Sequence, residues 1–379
     1  MAKRALIVAL SVGGGHGKAG EVVGAALREL APDWEVRCVD LRDYMPKWFR
    51  TLYVAGYLFI VRHLPWIWGF LYKHPPNRKG GTMPGWLLSL VIGPFERLVR
   101  EFDPDVILAT QVTASEAINR LRARGVYHGA AATVLTDLDA HPVWRADHID
   151  AFFVPDEAVR QGLVALGFAP DHVEATGIPI DPAFEQPFDA AALKAKHDVR
   201  PGVPVVLMMG GSLGLGPIED VVRRLLGTGQ PLDLLVIAGH NQALRQRLER
   251  IDPTGQSRLR VLGFIDYVAE LMAVADLFIS KPGGLSMTEA LTLGVPTLTI
   301  GPLPGQEEAN AAHLEAQGVL LRLESHDDLA QTAEQLLADP EARSELAARA
   351  TAYAHRGTAR HIAARLLTLA EGRGGGNLS

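Results

Sequence analysis

The 379-residue sequence contains a single cysteine, Cys38. One thiol forms no intramolecular disulfide and no multi-cysteine zinc site, and such usage fits a reducing compartment, the cytoplasm. The sequence also lacks any run of the roughly 18–20 consecutive apolar residues that a membrane-spanning helix needs. Its first apolar stretch, Ala5–Leu10, is shorter than a signal-peptide core and leads straight into glycines. Basic excess is missing too: 37 Lys and Arg stand against 43 Asp and Glu, a formal net charge of −6. That balance argues against a general nucleic-acid binder.

The most informative absence is local. From Tyr44 to Phe95 there is no Asp or Glu, while Lys47, Arg50, Arg62, Lys73, Arg78 and Lys79 are present with Trp48, Phe49, Tyr53, Tyr57, Phe59, Trp66, Trp68, Phe70, Tyr72 and Trp86. Trp and Tyr favour the headgroup layer because one end is apolar and the other polar, and each Lys or Arg near an anionic surface contributes about 1 kcal/mol. The stretch reads as a membrane-docking or lipid-acceptor surface, against the plainer reading of a helical insertion whose aromatics fill the core.

What is present is a repeated alternation of short β-branched runs with amphipathic runs, the pattern of parallel α/β units. Strands are expected at Arg4–Leu10, Glu35–Val39, Val106–Ala109, Ala131–Leu135, Ala151–Val154 and His172–Ala175. A second set is expected at Pro204–Met209, Leu232–Ile237, Arg258–Val261, Leu277–Ser280, Thr297–Ile300 and Val319–Leu321. The length fits two domains of about 100–200 residues each. Pro179, Pro182, Pro187 and Pro201 mark a linker over 178–202, between a first domain at 1–177 and a second at 203–370; residues 371–379 read as a flexible tail.

Glycine-rich turns follow several strands. Ser11–Gly17 (SVGGGHG) runs from the first strand into a helix, a place for an anion or an oxygen-rich ligand. GHGKAG with Asp40 formally matches a dinucleotide fingerprint, but only by taking the third glycine of a GGG run and leaving His16 unexplained in the phosphate turn. A P-loop fails because Lys18 is followed by Ala19. His16 is suited to take a proton from a hydroxyl. Thr136–Trp144 (TDLDAHPVW) places Asp137, Asp139 and His141 after another strand; metal binding by this DxD is the less favoured reading, base support or acceptor positioning by Asp137 the preferred one. In the second half, Met209–Gly216 (MGGSLGLG) and Lys281–Ser286 (KPGGLS) are turns that admit a diphosphate to a helix N-terminus. Glu289 is placed for a ribose diol or, equally, as a dipole-favoured first-turn Glu, and Gln306, Glu307 and Asn310 suit sugar hydroxyls or are plain polarity at a helix start.

Taken together, GGGHG, TDLxxHPxW, GIPIDPAF, GGS, GFID, SKPGGLSxxEAL and PGQEEAN resemble the glycosyltransferases of the monogalactosyldiacylglycerol synthase and processive diacylglycerol glucosyltransferase group, relatives of the lipid-linked N-acetylglucosamine transferase of peptidoglycan synthesis. The resemblance runs from about residue 5 to about residue 340. It implies an α/β GT-B fold, two Rossmann-like doubly wound domains facing a central cleft, and an inverting transfer of a hexose from a UDP-sugar to diacylglycerol. His16 matches the histidine of the family's glycine loop, regarded there as base or acceptor-binding, and the base is expected to be His16 first and Asp137 second. Gly15, Gly211, Ser212, Phe264, Ile265, Pro282, Gly283, Gly284, Glu289, Gln306, Glu307 and Asn310 go to the donor. Gly14, His141, Trp144, Arg50, Arg62, Trp66, Trp68 and Lys73 go to the acceptor and an anionic membrane surface. No metal, cofactor or nucleic acid is expected, and the place implied is the inner face of the cell membrane. Other readings of the same residues are transfer of N-acetylglucosamine to a polyprenyl-linked or other lipid, and epimerisation of a UDP-sugar.

Overall fold

The computed structural model describes residues 2–10, 15–74, 88, 92–211, 217–253, 255–300 and 304–374. Its chain divides into two compact units, one of Met1–Asp181 with Pro304–Gln306 and Gly357–Ser379, the other of Pro182–Leu303 with Glu307–Arg356.

The first unit is built on a six-stranded parallel sheet: β1 (Arg4–Ala9), β2 (Glu35–Asp40), β3 (Val106–Ala109), β4 (Ala130–Val134), β5 (Ala151–Val154) and β6 (Val173–Ala175), ordered β2-β1-β3-β4-β5-β6. Strands β3, β4 and β5 are buried throughout, which is why their sequences are continuous apolar runs without alternation. On one face Leu6, Val8, Ile107 and Phe152 pack with Phe95, Val99 and Phe102. On the other, Ala5, Ile7, Leu108 and Phe153 meet Val23 and Leu27 of helix Gly15–Leu30 and Ile362, Ala363 and Leu366 of helix Thr358–Gly374.

The second unit repeats the plan with β7 (Val205–Met209), β8 (Asp233–Ile237), β9 (Arg258–Leu262), β10 (Leu277–Ser280), β11 (Thr297–Ile300) and β12 (Leu321–Leu323), ordered β12-β11-β10-β7-β8-β9. Its core gathers Val206, Leu234, Val236 and Ile279 from the strands with Val221, Val222 and Leu329 from covering helices. The expected strands are all present. Two are displaced at both ends: β4 lies one residue earlier than expected, and β12 starts two residues after Val319, because Val319 and Leu320 are buried in the turn before the strand.

The boundaries differ from the sequence expectation. The division falls at Asp181–Pro182, so the proline-rich 182–202 stretch folds with the second unit, where His197 and Lys196 hold Glu270 and Arg200 holds Asp233. Gly357–Ser379 returns to the first unit, not the second, because Ile362 and Leu366 complete the covered face of its sheet. The helix itself runs to Gly374, four residues into the expected tail; residues 375–379 lie outside the described ones.

Both strand orders reverse direction once, at β1/β3 and at β7/β10. Ligands of doubly wound sheets bind outside the carboxyl ends of the strands at such points. The loops that matter are therefore those after β1, β3 and β4 in one unit and after β7 and β10 in the other.

Candidate functional site

In the first unit, residues 11–14, Gly14 included, lie outside the described ones, and Gly15 opens the helix that follows. His16 stands in its first turn, half-buried. Its Nδ1 lies 3.1 Å from the carbonyl oxygen of Thr110 and 2.7 Å from Oγ1 of Thr136, while Thr110 Oγ1 donates to the His16 carbonyl at 2.8 Å. A carbonyl only accepts, so Nδ1 carries the hydrogen and Nε2 keeps the lone pair, the tautomer a base requires. Three strand ends thus fix one imidazole.

The turn after β4 is held differently. Tyr72 Oη donates to Asp139 Oδ2 at 2.7 Å. His141 accepts from the Val143 N–H at Nδ1 (3.1 Å), so its Nε2 carries the hydrogen and donates to the Tyr72 carbonyl at 2.8 Å, with the two rings 4.3 Å apart. Burial, the Asp139 charge and hydrogen bond, and the Asp137 charge all push the Tyr72 phenol up, so it remains a donor across working pH. Gln306, folded with this unit, donates from Nε2 to Asp137 Oδ1. Its neighbour Gly305 has φ +100°, and a Cβ there would sit 3.1 Å from the Tyr72 ring carbon, so the turn needs glycine twice over. Asp139 and His141 are engaged with Tyr72, and among the described residues no group of three His, Cys, Asp or Glu is placed to hold a metal. Asp40, the acidic residue of the dinucleotide reading, caps the turn after β2 and is bonded to Arg42. Trp144, assigned to the acceptor from the sequence, is instead 3% exposed inside the first core.

The carboxylate-free stretch forms helices Lys47–His63 and Pro65–Lys73. It divides into inward and outward residues. Phe49 is buried and Trp68 half-buried, whereas Trp48, Leu52, Phe59, Trp66, Phe70 and Leu71 are exposed. These are six of the nine exposed large apolar side chains among the described residues, so one segment holds most of the exposed large apolar surface described. Lys73 is exposed and Arg50 lies 3.5 Å from Asp43. The Arg62, Tyr53 and Tyr57 side chains and residues Arg78, Lys79 and Trp86 lie outside the described ones. Among the described residues no helix is long and apolar enough to cross a membrane.

In the second unit, Gly211 follows β7; Ser212, with the rest of 212–216, is outside the described residues. After β10 come Lys281, buried Pro282, and Gly283, which caps helix Gly284–Thr292 without a side-chain bond. The positive end of that helix dipole therefore lies at the strand edge with no carboxylate in its first turn. Glu289 is half-buried on the same helix. Beyond β9, Phe264 is 64% exposed and stacks on His240, with centroids 4.5 Å apart and planes at 12°, while Ile265 beside it is half-buried. Residues 301–303 are outside the described ones. From helix Gln306–Ala316, Glu307 bonds Lys281 Nζ and the buried Asn310 donates to the Pro282 carbonyl at 3.1 Å. Asn310 thus braces the glycine turn. Sequence reasoning passed over Lys281, the one charged residue of the KPGGLS turn, and over the bond from Tyr72 to Asp139, whose partners are 67 positions apart.

Two parallel α/β units with their polar residues at the carboxyl edges of the sheets define a fold of the GT-B glycosyltransferase class. Acinetobacter baumannii MurG shares it with a TM-score of 0.63 at 15% identity, over 97% of this chain and 99% of that one. So does a putative UDP-N-acetylglucosamine 2-epimerase from Listeria monocytogenes, with a TM-score of 0.63 at 16% identity over 98% of both chains. At these identities the likeness is one of fold alone. The sequence is more specific. Residues 16–180 match the model of the monogalactosyldiacylglycerol (MGDG) synthase family and residues 220–353 that of glycosyl transferases group 1. The chain is thus similar to the monogalactosyldiacylglycerol synthases over most of its first unit and to the glycosyl transferases of group 1 over much of its second. The processive diacylglycerol β-glucosyltransferase of Bacillus licheniformis is 33% identical over 252 residues, 66% of this chain and 65% of that protein. The chloroplastic monogalactosyldiacylglycerol synthase of Spinacia oleracea is 29% identical over 351 residues, 88% of this chain and 66% of that protein. The chain spans just under two thirds of the length of these relatives.

Proposed function

We propose that the protein is an inverting hexosyltransferase that moves a hexose from a UDP-sugar to diacylglycerol, giving a β-glycosyl-diacylglycerol, and that it works while docked peripherally on the anionic cytoplasmic face of a membrane. The observation that carries this reading is the concentration of exposed Trp48, Leu52, Phe59, Trp66, Phe70 and Leu71 in a carboxylate-free segment of the same unit that holds His16. A water-soluble acceptor gives such a surface no use.

In the reaction, His16 Nε2 takes the proton of the primary hydroxyl, and the hydroxyl oxygen forms the new bond to the anomeric carbon. The bond from that carbon to the diphosphate oxygen breaks, and its electron pair leaves with UDP. Asp137 is the weaker choice of base because its carboxylate already accepts from Gln306. Gly211, Ser212 and Pro282–Gly284 take the diphosphate, Glu289 the ribose, Phe264 and Ile265 the uracil, and Gln306 and Glu307 the hexose, with Asn310 acting through the turn it braces. Backbone N–H groups and a helix dipole stabilise the leaving diphosphate as an oxyanion hole does.

The test is mass-spectrometric product analysis after incubation with diacylglycerol in anionic vesicles and UDP-glucose, UDP-galactose or UDP-N-acetylglucosamine in separate tubes, with and without EDTA. A glycosyl-diacylglycerol from one donor, unaffected by EDTA, is expected. Conversion of the donor to its epimer without acceptor, or no product while UDP still binds, would sink the reading.

A further inference from the structure

Lys281 sits where the second sheet changes direction. Ser280, its neighbour, is in register with Met209 of β7, so the lysine leaves β10 directly beside the turn that begins at Gly210. Gly211 adopts φ +69°, and a Cβ built there would lie 3.0 Å from Lys281 Cε. The aliphatic stem of the lysine therefore lies across the backbone of one glycine turn while its own chain opens the other. Its ammonium is 2.5 Å from Glu307 Oε1, with the side chains 27% and 14% exposed. Both carriers are braced: Asn310, three residues after Glu307 on the same helix, bonds the Pro282 carbonyl next to Lys281.

A half-buried ammonium held on one side by one carboxylate, between two glycine turns and near a helix N-terminus that has no acidic residue in its first turn, is an arrangement made for an anion with more than one charge. The diphosphate of a sugar nucleotide gains a further negative charge as the sugar leaves. Backbone N–H groups supply partial charges only, whereas Lys281 supplies a whole one at the same edge.

We propose that Lys281 is the positive charge that meets the donor diphosphate and stabilises UDP as it leaves, and that Glu307 holds the ammonium in place before the donor arrives. This rests on the reading of the second unit as the UDP-sugar site. Glu307 then has a double effect: it orients Lys281 and opposes the diphosphate charge.

The experiment is calorimetric titration of the full chain with UDP and, separately, uridine, in EDTA, for wild type, Lys281→Met, Lys281→Arg and Glu307→Gln. The difference between the two ligands isolates the diphosphate. Lys281→Met is expected to weaken UDP by about tenfold or more, the size of a lost charge-assisted contact, and to leave uridine unchanged. Lys281→Arg recovers most of the UDP affinity, and Glu307→Gln tightens UDP while slowing turnover. Equal weakening of UDP and uridine in Lys281→Met would make the lysine a structural pin and overturn the proposal, as would unchanged UDP affinity. Wild-type protein that binds neither ligand would overturn the donor-site reading itself, an outcome distinct from both.

Discussion

The two units share a sheet plan but present different chemistry at the same edge. In the first, side chains do the work: three strand ends fix the tautomer of His16, and Tyr72, Asp139 and His141 interlock in the turn after β4. In the second, glycine turns, a helix N-terminus and one ion pair make an edge of backbone and charge. On the proposed reading, one doubly wound sheet places a proton acceptor and the other grips a charged leaving group, and the choice lies in a few loop residues. The contrast predicts that first-unit variants change turnover without changing nucleotide affinity.

His16→Ala tests that contrast with the largest effect. Loss of a positioned base lowers kcat by about 10²- to 10⁴-fold, and UDP affinity measured by calorimetry stays within error because the proposed diphosphate contacts all belong to the second unit. Parallel loss of UDP binding would break the comparison. Turnover like that of wild type would remove His16 from the mechanism.

The helix Thr358–Gly374 sharpens the comparison through stability. Its Ile362 and Leu366 are fully buried in the first core, so Leu366→Ala costs about 2–5 kcal/mol there. All six tryptophans, from Trp34 to Trp144, lie in the first 181 residues, so tryptophan fluorescence reports that unit alone. The urea midpoint by fluorescence should fall although the substitution lies more than two hundred residues beyond the last tryptophan; an unchanged midpoint would return the helix to the second unit.

That helix also marks how far the sequence could be read. Buried parallel strands announce themselves as short apolar runs, and each expected strand was found within two residues. An amphipathic face, by contrast, says that a helix is covered and not by which sheet, so Ile362 and Leu366 were assigned to the domain that precedes them in the chain. The position of His16 at the carboxyl edge of the first sheet was legible because its glycine turn follows an apolar strand and opens a helix. The bonds from Tyr72 to Asp139 and from Glu307 to Lys281 join residues far apart in sequence, and no local pattern encodes them. Trp144 failed for a related reason: neighbours in a motif need not face the same way, and its indole turns into the core while His141 turns to Tyr72.

Tyr72→Phe has a moderate effect. It removes the O–H donated to Asp139 and keeps the ring against His141, so a loss of about 1.5–3 kcal/mol for a hydrogen bond to a charged group bounds the outcome. The expected result is a fall in kcat of about ten- to a hundredfold on vesicle-borne acceptor, since 1.4 kcal/mol is a factor of ten, with UDP affinity and vesicle binding unchanged. Asp139→Asn, which still accepts from the phenol, should retain more activity than Asp139→Ala. Equal losses in those two would show that the carboxylate charge, not the hydrogen bond, is what matters.

The smallest effects belong to the docking segment, where single residues add modestly to a shared surface. Lys73→Ala removes one attraction of about 1 kcal/mol near an anionic leaflet, so co-sedimentation with anionic vesicles weakens by about fivefold at low salt and less at high salt. Phe70→Ser removes apolar burial instead, and its effect should persist in salt and on neutral vesicles. The two together separate the charged from the apolar share of docking. Both residues belong to the first unit and the proposed nucleotide contacts to the second, so both variants should bind UDP as wild type does; if binding to vesicles is also unchanged, the exposed aromatics need another partner.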